Sequence, residues 1–170
     1  MFKHTGIVRR LDDLGRVVIP KEIRRKFRIQ EGDPLEIGEG EDTILLRKYS
    51  VLELSDETTQ KILGSFSEIT QLPVLLCNTT HVLHGVRLHK NIRNMELTME
   101  LSDCLLDELT PCSGMKIVYE NEITVDEIER IIINGNVEGA LIIPASGIEL
   151  TESDRNCLKL CAGALAAVVQ

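Results

Sequence analysis

The sequence predicts an α+β chain in two parts: a β-β-α-β-β unit over residues 1–50, then residues 51–170 as an antiparallel sheet with flanking helices. Three observations predict it. Short β-branched runs broken by Gly, Pro and Asp fill the first part, whereas helical periodicities alternate with continuous apolar runs in the second. Charge divides at the same place. The first thirty residues hold six arginines and three lysines against three acidic residues, a net +6, in a chain that carries −8 overall. Residues 51–170 hold eight basic and eighteen acidic residues, a net −10. Such asymmetry points to a nucleic-acid-binding end joined to an acidic half that stays off nucleic acid.

Thr5 to Leu11 reads as a first strand, and Asp12-Asp13-Leu14-Gly15 as a turn in which Gly15 can take a positive φ. Arg16 to Ile19 is a second short strand, ended by Pro20, which suits a helix start. Pro20 to Phe27 then makes about two helical turns. Ile23 and Phe27, four residues apart, share a face toward a core and leave Arg24, Arg25 and Arg28 on other sides. After the Glu31-Gly32-Asp33 turn, Pro34 to Ile37 and Thr43 to Lys48 form two more strands, joined through Gly38 to Asp42. A unit this small, with few large apolar side chains, can hardly bury enough surface alone, so an obligate dimer is expected.

The run Thr5 to Arg25, T-G-I-V-R-R-L-D-D-L-G-R-V-V-I-P-K-E-I-R-R, resembles the swapped-hairpin DNA-binding domain of AbrB-type bacterial transition-state regulators. The resemblance covers residues 1 to about 50 and implies two chains interleaving their hairpins into one β-barrel-like dimer with a basic surface on DNA. Position by position it implies DNA contacts from Arg9, Arg16, Arg24 and Arg25, with Arg10 beside them. The chemistry agrees: guanidinium groups bind phosphate bidentately and reach guanine edges or the narrow minor groove of A/T-rich DNA. With no Trp, two Tyr and three Phe in the chain, stacking on single strands is disfavoured and double-stranded promoter DNA is the expected partner.

In the second part, a helix is expected from about Leu52 to Leu72, capped by Ser55 or Asp56 and stopped by Pro73. Val74 to Cys77 reads as a buried strand, Asn78-Thr79-Thr80 as a turn, and His81 to Val86 as its hairpin partner. A helix from about Asn94 to Leu109 follows, then strands at Met115 to Tyr119 and Ile128 to Ile133. Asn134-Gly135-Asn136 turns the chain into a returning strand, Gly139 to Ile143. Thr151 and Asp154 approximate a capping box for a last helix to Val169. That helix is apolar almost all round, which predicts a second subunit contact through it.

This order and size resemble a GAF domain, a small-molecule sensor fold. A swapped-hairpin domain followed by a GAF-like one is similar to sporulation regulators of the AbrB type. What the resemblance implies is a transcription factor of late, forespore-specific sporulation genes, activating some promoters and repressing others. It further implies a cytoplasmic protein, dimeric through its N-terminal domain and tetrameric through its C-terminal one. A small-molecule effector is open, and the resemblance fixes no ligand or cofactor.

Other chemistry finds little support. Cys77, His81, His84 and His89 lie close in sequence, but their spacing fits no closed metal template, so no metal is expected. Five cysteines without paired spacing, no signal-peptide pattern and no twenty-residue apolar span predict reduced thiols in the cytoplasm and no membrane partner. A redox switch through Cys157 and Cys161, which share a helical face, is the alternative. No glycine-rich phosphate loop or G-x-S-x-G occurs, and Glu120, Glu122, Asp126, Glu127 and Glu129 read as a solvated loop and helix start, so an enzyme is not expected. The rival of a different class is an antitoxin-like DNA-binding autorepressor whose second half binds a protein partner. Antitoxins usually carry a short flexible tail there, while this half is long and periodic.

Overall fold

The computed structural model describes residues 5–27, 29, 31–54, 56–107 and 109–168. Arg28, Ser55 and Val169, used above as a basic residue, a cap and a helix end, lie outside the described residues. The chain divides into two compact units, Met1–Tyr49 and Ser50–Gln170.

The first unit contains α1 (Lys21–Lys26), β1 (Leu35–Gly40) and β2 (Thr43–Lys48). β1 and β2 pair antiparallel from Leu35 opposite Lys48 to Gly40 opposite Thr43. Across this hairpin Glu36 faces Arg47, and their carboxylate and Nε form an ion pair. None of the described residues 5–49 is buried. The strands expected at Thr5–Leu11 and Arg16–Ile19 are not formed as a ladder within the chain. A strand exists only against a partner edge, and a lone hairpin of this size is marginal in water. Val8 is 83% and Val18 73% exposed. Likewise Ile23 is only half-buried, and Phe27, expected against a core, is 55% exposed.

The second unit runs from a 3-10 turn (Val51–Leu54) through α2 (Asp56–Thr70), β3 (Val74–Asn78), β4 (Val82–Val86) and α3 (Met99–Leu106). It continues with β5 (Val125–Ile133), β6 (Asn136–Pro144) and α4 (Glu152–Val168). Its sheet has the order β4-β3-β6-β5, antiparallel throughout. Period-two alternation sends neighbouring residues of the central strands to opposite cores. Leu76 and Leu141 join Leu63, Phe66, Leu158 and Leu165 of α2 and α4. Leu75 and Ile142 join Leu101 and Leu105 of α3 with Ile117. Two helices on one face and one on the other agree with a GAF-like arrangement. β3 is buried at all five positions, which is why its sequence is a continuous apolar run. Opposite Asn78 stands Gly139, where any Cβ would lie inside contact distance of the Cys77 carbonyl oxygen. Asn134 (φ 52°) and Gly135 (φ 81°) make the tight β5–β6 turn.

Several elements differ from the sequence expectations. The helix expected from Leu52 opens instead as the short 3-10 turn followed by α2. α3 begins at Met99, not Asn94, because residues before it are committed elsewhere. Asn94 adopts φ 63°, Glu96 and Leu97 bridge to His81 and Val118, and Thr98 caps the helix by accepting from the Leu101 amide at 3.3 Å. Met115 to Tyr119 contributes two isolated bridges, Leu97–Val118 and Lys116–Thr124, rather than a strand. Asp126, Glu127 and Glu129 lie on β5 instead of a helix start, and Glu127 accepts from Arg155 Nε at 2.7 Å. α4 buries one face, through Leu158, Ala162 and Leu165, and leaves Leu160 73% exposed, so it is not enclosed all round.

The thiols also differ. Cys104 and Cys112 form a disulfide with their Cα atoms 6.0 Å apart, where reduced cysteines were expected. The setting is tertiary. Arg130 of β5 draws the end of α3 and the following loop together, donating from Nε to the Leu105 carbonyl at 2.9 Å and from Nη2 to those of Cys104 and Asp107 at 2.8 Å each. Cys157 and Cys161 are half-buried on α4, and burial, then the neighbouring Cys157, pushes the Cys161 thiol up to about 11. A protonated thiol is a poor nucleophile, so Cys161 itself is a weak attacking group near neutral pH.

Candidate nucleic-acid interface

Five of the first unit's arginines, Arg9, Arg10, Arg16, Arg24 and Arg25, are exposed. Two local structures carry them. The first is the turn between Asp12 and Arg16. Gly15 (φ 74°) lets the chain reverse, its amide donating to the Asp12 carbonyl at 2.9 Å, while the Asp12 amide donates to the Arg16 carbonyl at 3.0 Å. Asp12 Oδ1 accepts from the amides of Leu14 at 3.0 Å and Arg16 at 2.8 Å, and Oδ2 accepts from Arg16 Nε at 2.8 Å. The Arg16 amide, then its guanidinium, hold the Asp12 carboxyl below the ordinary carboxylate range. Arg16 is thus oriented through Nε, and a guanidinium with five N–H donors keeps capacity for a further acceptor. Arg9 and Arg10 precede this turn, and Arg9 Nη1 donates to the Val8 carbonyl at 3.0 Å.

The second structure is α1. Pro20 stands at its N-cap (φ −59°, ψ 149°), its carbonyl accepting from the Arg24 amide at 2.9 Å. The last turn carries Arg24, Arg25 and Lys26, where cations complement the negative end of the helix dipole. The Phe27 amide returns to the Ile23 carbonyl at 3.0 Å, and Lys26 Nζ sits 5.3 Å from the Phe27 ring centroid. Among the described residues no hydrogen bond or ion pair joins the arginines of α1 to those of the turn. Each group is presented by its own local structure. These five arginines are the ones the sequence singles out, and all five are exposed; Asp12, which positions Arg16, was missed, and the four-residue spacing of opposite charges across a Gly turn was the available signal.

Two of the histidines named in the sequence lie on or beside β4. His81 Nδ1 contacts Thr80 Oγ1 at 2.9 Å and His84 is buried on β4. Among the described residues, no three His, Cys, Asp or Glu side chains converge as metal ligands, and no helix is long and apolar enough to cross a membrane.

Comparison with known proteins bears on both units. Residues 8–52 match the family described as antidote-toxin recognition MazE, bacterial antitoxin. A 48-residue stretch is 57% identical to the transition state regulatory protein AbrB of Bacillus subtilis (strain 168), covering 28% of this chain and 50% of that protein. The solution structure of the N-domain of the transcription factor abrB is 55% identical over 29% of this chain and 94% of its own, with a TM-score of 0.27. Across both units, the chain is 34% identical to Stage V sporulation protein T of Bacillus subtilis (strain 168), over 174 residues and 97% of each protein. With that match spanning the arginine-bearing unit and the sheet unit alike, the chain belongs to the family of stage V sporulation protein T.

Proposed function

We propose that this chain is a transcription regulator of late, forespore-specific sporulation genes that grips double-stranded promoter DNA through Arg9, Arg10, Arg16, Arg24 and Arg25. Residues 1–50 form the DNA-binding domain and residues 51–170 the GAF-like sensor and assembly domain. The observation that carries this is the first unit itself: five exposed arginines on a body without a buried residue among those described. A second copy supplies the missing core, interleaving its hairpin to cover Val8, Leu14, Val18, Ile37 and Ile44, all largely exposed in the single chain. The dimer then presents ten arginines on one basic surface, suited to the narrow minor groove of A/T-rich promoters. Both activation and repression follow from where such a body lies relative to a promoter. Leu160 and Val168 on α4, exposed in the single chain, supply the C-terminal contact that joins dimers into a tetramer. The work is done in the cytoplasm of the forespore and needs no catalysis. The names of the two Bacillus subtilis relatives, a sporulation protein and a transition state regulator, support this reading.

A second reading, an antitoxin-like autorepressor, is favoured by the family description of residues 8–52. Against it, the second half already carries two buried cores without a partner.

Fluorescence anisotropy of the full chain on A/T-rich promoter duplexes across a salt series tests the DNA reading. If six to ten phosphates are neutralised, log affinity falls with log salt at a slope on the order of −5 to −9. Arg24→Ala loses most of the affinity and a G/C-rich control binds more weakly. Flat, weak binding indifferent to Arg24→Ala would overturn it.

A further inference from the structure

The second unit contains a cavity of about 520 Å³ between α2 and the segment that leaves β4. Gln60 and Leu63 of α2, His84 of β4, and Arg87, Lys90 and Arg93 of the following connection line it. We propose that this cavity binds a small organic phosphate. Residues 51–170 contain only eight lysines and arginines under a net charge of −10, yet three of those eight converge here. The unit's other cations are mostly neutralised at home. Lys61 pairs with Glu57, Lys116 with Glu122 and Arg155 with Glu127, while Arg130 holds main-chain carbonyls. Arg93 has an interaction of its own, but Arg87 and Lys90 have no ion-pair partner among the described residues. Clustered like charges repel one another, and an anion in their midst relieves that cost.

The connection is shaped rather than slack. Arg87 adopts φ 55°, Asn91 Oδ1 accepts from the Arg93 amide at 3.1 Å, and Ile92, 1% exposed, anchors the segment in the α3-side core. Leu88 closes so tightly over Gly85 that a Cβ there would collide with its side chain. Arginine offers a fork for two phosphate oxygens and lysine a point charge for the third. Val86 and Leu88, both half-buried, with the Gln60 amide, are the wall left for the organic part, and the volume falls in the range of small-ligand sites.

The test uses the full chain, titrated by calorimetry and thermal melting with phenyl phosphate and with inorganic phosphate, against sodium chloride at equal ionic strength. Saturable binding of phenyl phosphate is expected, weakened about tenfold or more in R87Q/K90Q, as the loss of charge-assisted bonds predicts. K159Q, an exposed cation outside the cavity, should bind like the parent. The variants' melting points without ligand establish that they are folded. Should the double variant melt early, amide shifts in the parent decide: perturbation at Gln60, Leu63 and residues 84–93 supports the site, and perturbation confined to the N-terminal arginines overturns it. Phosphates no more effective than chloride, or equal binding by folded R87Q/K90Q, would also overturn it. So would a loss of promoter affinity in R87Q/K90Q without phenyl phosphate binding, which would assign the segment to the DNA backbone.

Discussion

Asp12 and Arg16 close the N-terminal turn on each other: one carboxylate oxygen accepts from the Arg16 amide and the other from its Nε, both at 2.8 Å. Two opposing effects meet in this carboxylate. Its charge repels phosphate, while its oxygens fix the backbone that presents Arg16. Asp12→Asn removes the charge and the acceptor for Arg16 Nε but keeps one oxygen for the Leu14 and Arg16 amides, so DNA affinity should stay within about twofold of the parent. Asp12→Ala removes both, and affinity should fall about three- to tenfold as Arg16 loses its orientation. Anisotropy at fixed salt separates them, and an Ala variant that binds as well as the Asn variant would deny Asp12 its positioning role.

Much of this was legible because it is local. Thr151 and Asp154 announce a capping box three residues apart, Asn134-Gly135 a hairpin turn, Pro73 a helix stop, and the arginines their own exposure. What escaped was tertiary. Periodicity carried α3 back to Asn94, but Glu96 and Leu97 are held by bridges to His81 and Val118, and those contacts override helical spacing. The Cys104–Cys112 pairing sits in a segment that Arg130, eighteen residues beyond the second cysteine, also holds, and no spacing rule connects them. Similarly, Gln60 and Lys90 meet at one cavity only once α2 lies beside the end of β4. The strands expected at Thr5–Leu11 and Arg16–Ile19 are absent as ladders because one chain does not give them an edge.

Arg130→Ala should be among the costliest single changes in the second unit. Its guanidinium reaches the Leu105 carbonyl where α3 ends, and adds a second donor to the Cys104 and Asp107 carbonyls, which also accept from the Asp107 and Thr110 amides at 3.3 Å. Arg130 is half-buried, so the charge-assisted bonds are discounted for solvent, and a loss of about 2 kcal/mol is expected. Arg130→Lys should recover only part, since an ammonium cannot span carbonyls that the planar fork reaches together. Urea unfolding followed by circular dichroism measures both, and a change below about 0.5 kcal/mol in the Ala variant would remove the clamp from the account.

The cysteines should divide under alkylation of the folded protein at pH 8. Burial pushes the Cys77 thiol up to about 12, and its side chain is fully covered. Iodoacetamide should leave Cys77 unmodified until denaturant is added, because neither thiolate nor access is present. Non-reducing peptide mapping should recover Cys104 and Cys112 joined to each other. Rapid native labelling of Cys77 would mean that the β3–β6 core opens far more readily than its packing implies.

Thr151 and Asp154 give a pH dependence whose sign can be worked out. The Thr151 hydroxyl donates to Asp154 Oδ2 at 2.6 Å and the Thr151 amide to the same oxygen at 2.9 Å, while the Asp154 amide returns to Thr151 Oγ1 at 3.2 Å. The hydroxyl, then the amide, lower the Asp154 carboxyl from its ordinary 3.8. A carboxyl depressed in the folded state stabilises it above the unfolded value and ceases to do so as pH falls through the folded one. The melting-temperature gap between the parent and Asp154→Ala should therefore be constant above about pH 5, equivalent to about 1 kcal/mol of capping, and should narrow only below pH 3.8. Asp154→Asn, which keeps an oxygen acceptor but cannot ionise, should show a smaller gap that narrows over the same acid range, because it is the parent's carboxylate that titrates. A gap that instead widened on acidification would mean that the neutral acid caps α4 better than the carboxylate, reversing the assignment of donor and acceptor at this helix start.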